Sequence, residues 1–344
     1  MVQRVPFDRA IQDITGGNLR LQTSDYQLNG SIPVIDQGQA LVAGYTENES
    51  SICRRQGPVI LFGDHTRTFK YVDFDFALGA DGVKVLQCRD GFDPRYLFHY
   101  LRTVQLPENL GYSRHFKFLK ECEVPKLELA EQQRIATILD KADSLRRKRM
   151  EAVRLIDDFL RAVFIDMFDE SKTNSKALPK VSLGDVVKLK SGDFLPSHDM
   201  VNSGDVFVYG GNGINGRHDK AMFSEAKLVI GRVGAYCGAV HLTKPINWIT
   251  DNALYVSERS PTLRLEYLAF ALKLANLNQY SSQSGQPLVS ASRLYPVEIL
   301  LPPLDLQDAF LKIYERKEGV RLFMNGSLRE IEKLGHSLSS NLLS

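Results

Sequence analysis

Two stretches of the chain repeat apolar residues at spacings of three and four. The first runs Ile135, Ile138, Ala142, Leu145, Ala152, Ile156, Phe159 and Val163. Leu139, Val153, Leu155, Leu160, Phe164 and Met167 widen its stripe, and Arg149 and Asp166 interrupt it. Shifting these positions by 175 gives Phe310, Ile313, Val320, Met324, Ile331, Leu334 and Leu338, with Lys317, Ser327 and Asn341 as polar members. Such spacing predicts two heptad helices in one register. At 1.5 Å per residue, about 35 residues each span roughly 50 Å, too long to hide in a small domain, so the helices are expected to pack on each other. The first leaves one globular domain and enters the next, and the second returns, which makes the pair antiparallel. Gly319, Gly326 and Gly335 each weaken the second helix by about 1 kcal/mol relative to alanine.

Ahead of each helix the pattern changes to short apolar runs punctuated by turn residues, which predict strands. Pro58–Gly63 pairs with Lys227–Gly231, and Gly82–Leu86 with Asn252–Val256. Tyr96–Leu101 and Tyr267–Leu272 read as short buried helices. The likeness extends to Val5-Pro6-Phe7, Ile11 and Gly16 against Val181-Ser182-Leu183, Val187 and Gly192. Ile32–Ile35 before Gly38 matches Val206–Tyr209 before Gly213, and Leu127 through Gln132 matches Pro302 through Gln307. A whole domain plus its helix is therefore duplicated. The expected fold class is α+β: two small α+β domains joined by two long antiparallel coiled-coil helices in an internal pseudo-twofold repeat. The expected boundaries are 1–128 and 181–301 for the domains, 129–169 and 302–344 for the helical spacers, and 170–180 for a polar linker.

The 344 residues are 43% apolar, enough for two cores. Net charge is only +2, and the balance is even within each half: residues 1–127 hold 15 basic and 15 acidic side chains, and 181–300 hold 11 and 10. An autonomous DNA binder usually concentrates positive charge, because phosphate neutralisation supplies much of its affinity. The balance argues against one. Cys53, Cys88, Cys122 and Cys237 are widely spaced, the start has no apolar signal core and no run of 18 apolar residues occurs, so a cytoplasmic chain with reduced thiols and no membrane span is expected.

Several motifs exclude more than they establish. Gly211-Asn212-Gly213-Ile214-Asn215-Gly216 has the dinucleotide-loop spacing, yet Arg217-His218-Asp219-Lys220 follows instead of an apolar helix. Asp219 with Glu225-Ala226-Lys227 is similar to a nuclease cluster but has no counterpart in the first half. The seven histidines lack metal-ligand spacing, and no methyltransferase motif occurs, so no metal, cofactor or catalytic residue is expected. Arg, His, Lys and Asn in polar loops are the side chains that grip phosphates and read base edges. By that criterion the candidate DNA-binding residues are His65, Arg67, Arg114, His115 and Lys117 in the first half. The second half offers Asn212, Asn215, Arg217, His218, Arg232 and Tyr236, with Tyr209 beside them. Arg146-Arg147-Lys148-Arg149 forms either a solvated helix face or a phosphate contact.

Leu129-Ala130-Glu131-Gln132-Gln133-Arg134-Ile135-Ala136-Thr137-Ile138-Leu139-Asp140-Lys141-Ala142-Asp143, continuing through Arg146-Arg147-Lys148 to Phe164-Ile165-Asp166-Met167-Phe168, strongly resembles the central region of Type I restriction-modification specificity subunits. Val181–Val186 and Tyr209–Ile214 resemble the openings of that family's target recognition domains. The resemblance implies a non-catalytic subunit with two target recognition domains, each reading one half of a split site in double-stranded DNA while the helices set the gap. It implies two methyltransferase subunits docked on the helices and restriction motor-nuclease subunits completing the complex. The candidate partner-binding positions are Ile135, Ile138, Leu145, Ile156, Phe159, Phe310, Ile313 and Ile331. Leu304-Asp305-Leu306-Gln307-Asp308 departs from the family's usual Ala-Glu-Gln run. The competing expectations are a degenerate adaptor that binds proteins without reading DNA, and a stand-alone nuclease.

Overall fold

The computed structural model describes residues 3–80, 82–107, 114–168, 176–201, 203–282 and 287–343, with only the backbone for 334–336 and 338–343. The first half runs β1 (Arg4–Pro6), α1 (Phe7–Ala10), β2 (Ile11–Asp13), β3 (Ile32–Ile35), β4 (Gly44–Thr46), β5 (Val59–Gly63), β6 (Phe69–Val72), β7 (Ala77–Leu78), β8 (Val83–Cys88), α2 (Pro94–Leu101), α3 (Phe116–Leu119), β9 (Glu123–Pro125) and α4 (Leu129–Phe168). The second runs β10 (Lys180–Ser182), α5 (Leu183–Val186), β11 (Val187–Ser191), β12 (Val206–Gly210), β13 (Gly213–His218), β14 (Leu228–Gly231), β15 (Val240–Leu242), β16 (Asn247–Ile249), β17 (Ala253–Arg259), α6 (Leu265–Leu274), α7 (Ala291–Leu294), β18 (Glu298–Leu300) and α8 (Leu304–Leu343). The two orders are the same.

So are the sheets. A four-stranded sheet β2-β8-β5-β6 is repeated as β11-β17-β14-β15, a three-stranded sheet β4-β3-β7 as β13-β12-β16, and the ribbon β1-β9 as β10-β18. The central strands explain the layering, since successive side chains of a strand point to opposite faces. Ile60 and Phe62 of β5 join the core formed with α2, α3 and the start of α4, while Val59 and Leu61 join the core shared with Ile35 and Leu78 of the smaller sheet. In β14, Leu228 and Ile230 face the helical layer and Val229 faces Ile249. Each domain thus stacks helices, a four-stranded sheet and a three-stranded sheet, and the mixed helix-and-strand class expected from the sequence is the one observed.

Contacts divide the chain into two units, Met1–Glu151 with Asn325–Ser344 and Ala152–Met324. Each unit combines one globular domain with part of both long helices. Within the second unit those helical segments run antiparallel: Lys317 lies 4.8 Å from the Phe159 ring, and Phe310 meets Phe164 edge-on at 5.2 Å. Both helices are 40 residues long, about 60 Å at 1.5 Å per residue. α4 begins ahead of the apolar period at Ile135 because its first turns, including Glu131-Gln132-Gln133-Arg134, are too polar to show it. Gly319 and Gly326 do not interrupt α8, and a Cβ at either would meet nothing within 4 Å.

One expectation needs correction. Ile135, expected at the seam, is buried in its own domain's core at 1% exposure, whereas Phe310, at 0%, packs against Phe164 and Phe168 of α4 as well as its domain. A helix docked on a domain shows the same three-four spacing as a helix docked on a helix, so the pattern alone does not say what covers the face. Ile138, Ile156, Ile313 and Ile331 are half-buried, whereas Leu145 and Phe159 are exposed. The expected side-chain roles of Gly335, Leu334, Leu338 and Asn341, and most of the 170–180 linker, lie outside the described residues.

Candidate nucleic-acid interface

In the first domain four separate segments meet around Asp64. The Asp64 N–H donates to Gly82 O at 2.6 Å, and the His115 N–H donates to Asp64 O at 2.9 Å. The buried Asp64 carboxylate then accepts from the Phe116 N–H at 2.7 Å, satisfying an amide at the start of α3. The loop after β3 joins through Thr66, whose hydroxyl donates to Gln37 O at 2.6 Å, and through Lys70, whose ammonium donates to Asp36 O at 2.8 Å. His65, Arg67, Arg114, His115 and Lys117 are thereby gathered from two distant parts of the sequence.

Their exposure sorts them. Arg114 and Lys117 are exposed, and Lys117 lies 4.6 Å from the Phe118 ring. Arg67 is exposed at φ +59°, a left-handed conformation unusual outside glycine, and its N–H closes the β5–β6 turn on Gly63 O at 2.8 Å. A cleft of about 680 Å³ beside that turn is lined by Arg67, Phe69, Arg102, Thr103, Val104, Gln105 and Leu106. His65 is half-buried. His115 is only 4% exposed: its main chain ties the loops to Asp64, while its buried Nδ1 has no partner among the described residues.

The second domain builds the same frame around Arg232. Its N–H donates to Asn252 O at 2.9 Å, and the Val289 N–H donates to Arg232 O at 2.9 Å. The guanidinium Nη1 reaches Ser191 Oγ at 3.2 Å and Asp251 O at 3.4 Å, while its buried Nε has no partner among the described residues. Tyr236 is half exposed on the same loop. The β12–β13 turn comes close at Gly211, next to exposed Asn212, and Gly213 takes φ +87° there. The glycine run is therefore a hairpin turn and not a phosphate cradle. Beneath it lies His241, whose pKa burial lowers from its ordinary 6.5.

Other expected members are not brought to this point. Along β13, Arg217 and His218 lie at the far end of the hairpin, about 16 Å from the turn at roughly 3.3 Å per residue. Arg217 donates to Gly204 O at 3.0 Å and stacks 4.5 Å from the Phe207 ring, which Lys244 also approaches at 4.8 Å. His218 Nδ1 is 3.1 Å from Asp199 O, and its ring meets Trp248 edge-on. Asn215 is exposed, with its amide packed over Gly210. Tyr209 is buried, and its hydroxyl accepts from the Lys244 N–H at 2.9 Å. The Glu225–Lys227 pair is an ion pair at 2.5 Å beside Phe223, and no group of three His, Cys, Asp or Glu able to hold a metal occurs among the described residues. Of the basic run on α4, Arg147 and Lys148 are exposed, whereas Arg146 lies 4.0 Å from Asp143.

Gln132 and Gln307 occupy matching places in the repeat, and nothing else in their sequence context signals a role. Both are fully buried, and each ties the root of its long helix to its domain. Gln132 accepts from the Asp93 N–H at 2.9 Å and donates to Gly91 O and Leu127 O at 2.9 and 2.8 Å. Gln307 accepts from the Arg264 N–H at 2.8 Å and donates to Thr262 O and Pro302 O at 2.9 and 2.7 Å. Carboxylates reinforce both roots. Asp140 lies 2.9 Å from His99 Nε2 and 3.3 Å from Arg95, and Asp308 takes a bidentate pair from Arg264 at 2.7 and 2.9 Å. That pair holds the Asp308 carboxyl below its ordinary range.

The chain thus holds two copies of one small sheet-and-helix domain, each rooted on a long helix and each presenting basic, amide or aromatic side chains on clustered loops. Residues 177–333 match the model of the Type I restriction modification DNA specificity domain, and most of the chain is similar to Type I specificity subunits. It is 26% identical over 275 residues to the Type I restriction enzyme EcoprrI specificity subunit of Escherichia coli, spanning 73% of this chain and 67% of that protein. It is 32% identical over 139 residues to the EcoR124I/EcoR124II specificity subunit of Escherichia coli, spanning 36% of this chain and 34% of that one. The crystal structure of a Type-I restriction-modification system S subunit from M. genitalium shares the fold, with a TM-score of 0.72 at 15% identity over 100% of this chain and 96% of that one. No helix among the described residues is long and apolar enough to cross a membrane.

Proposed function

We propose that this specificity subunit, without an active site of its own, gives a Type I complex its DNA sequence preference. Each globular domain reads one half of a bipartite double-stranded site, the first through Arg67, Arg114 and Lys117 and the second through Arg232, Tyr236 and Asn212. The carrying observation is the duplicated frame at Asp64 and Arg232, which gathers loops from distant parts of the sequence in both copies. The long helices act as the spacer, and 60 Å exceeds one turn of DNA, about 34 Å, so two readers on one face leave an unread gap. Exposed apolar side chains on the helices, Leu145 and Phe159 on α4 with Leu322 and Phe323 on α8, provide docking area for methyltransferase subunits. Those subunits supply the adenosylmethionine chemistry and much of the phosphate contact that a chain of net charge +2 lacks. Two copies are expected, with restriction motor-nuclease subunits joining them in the cytoplasm.

Co-purification with the methyltransferase followed by methylation mapping tests this reading. A split site with two short specific halves supports it, and methylation without any split site rejects it. The balanced charge favours a second reading, an adaptor that binds proteins only, and that reading predicts no DNA footprint when the methyltransferase is present. Inserting one heptad into α4 should lengthen the gap and leave both half-sites unchanged; altered half-sites would defeat the spacer role.

A further inference from the structure

We infer that Gln132 and Gln307 are positioning residues that set which gap length the subunit accepts, by fixing the angle at which each long helix leaves its domain. The inference rests on the spacer reading above and adds to it the atoms that hold the spacer. Along the first ten helix positions, 129–138 against 304–313, the two copies share only Leu, Gln and Ile. The shared glutamine makes the same three buried hydrogen bonds in both domains. Its oxygen accepts from the residue immediately before α2 or α6, and its amide protons satisfy one carbonyl ahead of that helix and one just after β9 or β18. A neutral side chain with one acceptor and two donors matches that set, whereas glutamate lacks the donors and methionine lacks all three functions.

Three bonds in three directions fix orientation as well as attachment. A neighbouring tyrosine repeats the pattern, with Tyr96 OH donating to Pro125 O at 3.1 Å and Tyr267 OH to Leu300 O at 3.0 Å. Leverage makes the angle matter. Over a helix of about 60 Å, a tilt of about 3° at the root displaces the far end by about 3 Å, which is one base-pair step. Holding a single gap therefore requires a root rigid to within a few degrees.

The test uses the full chain with its methyltransferase and duplexes carrying fixed half-sites at varied gaps. The wild type should methylate one gap at least about tenfold faster than its neighbours, a difference of about one factor of ten in transition-state preference. Gln132→Met and Gln307→Met should reduce that ratio to about threefold or less while the half-site bases stay the same. A merely structural glutamine would lower thermal stability and leave the ratio intact, which would overturn the inference. Gln132→Glu and Gln307→Glu, which set a carboxylate against two buried carbonyl oxygens, should lower the ratio at least as far. Should the buried variants not fold, Asp308→Asn removes only the exposed brace on the same root and reads the same ratio, and an unchanged ratio there overturns the inference too. A wild type with no split site would instead reject the specificity-subunit reading itself, so the two failures are distinct.

Discussion

Asp64 and Arg232 occupy the same node of the same frame, with matching main-chain bonds, yet carry opposite charges. In the first domain the node is a buried carboxylate that turns inward to the Phe116 amide, leaving Arg67, Arg114 and Lys117 on the rim as the positive groups. In the second domain the node itself is the cation, half-buried and short of one partner among the described residues. Loop lengths differ in a complementary way. Residues 36–43 separate β3 from β4 where only 211 and 212 separate β12 from β13, and 64–68 separate β5 from β6 where 232–239 separate β14 from β15. The difference teaches that the backbone frame fixes where the loops gather, and the side chains fix which charge they display there.

The largest effect should come from forcing one domain's solution on the other. Asp64→Arg would bury an unpaired charge and strand the Phe116 amide, at a cost of about 3–5 kcal/mol to the first domain by denaturant unfolding. Arg232→Asp, at a half-open site, should cost about 1 kcal/mol, and equal costs would dissolve the contrast. Next in size, Arg232→Ala should relax preference at one base pair of one half-site by about 1–3 kcal/mol, leaving the other half-site untouched in methylation maps. The smallest effect is pH-dependent. Burial lowers the His241 pKa in the folded state, so between the folded value and 6.5 the unfolded chain binds more protons. Stability near the Gly211–Gly213 turn should be flat above pH 6.5 and fall as pH drops below it, followed by hydrogen exchange. His241→Gln should remove this dependence.

The duplication, the strand pairs and the two helices were legible because each rests on a local period or on internal repetition. What the helices pack against was not: Ile135 looks like a seam residue and lies in its domain's core, while Phe310 touches both its domain and α4, since spacing reports a covered face without naming the cover. Among the loop candidates, composition picked out Arg67, Arg232 and Tyr236 but could not separate them from His115, Arg217 and His218, whose environments depend on long-range contacts with Asp64, Gly204 and Asp199. Asp64 carried no sequence signal at all. Gln132 and Gln307 carried one, an identical residue in two otherwise dissimilar helix starts.

The frame around residues 64 and 232 is closed by peptide groups on both sides, from Asp64 to Gly82 and His115, and from Arg232 to Asn252 and Val289. Peptide groups are common to every amino acid. The main-chain frame can therefore carry either charge at this node, as the two copies do, provided that the surrounding side chains, such as the Asp64 contact to the Phe116 amide, change with it.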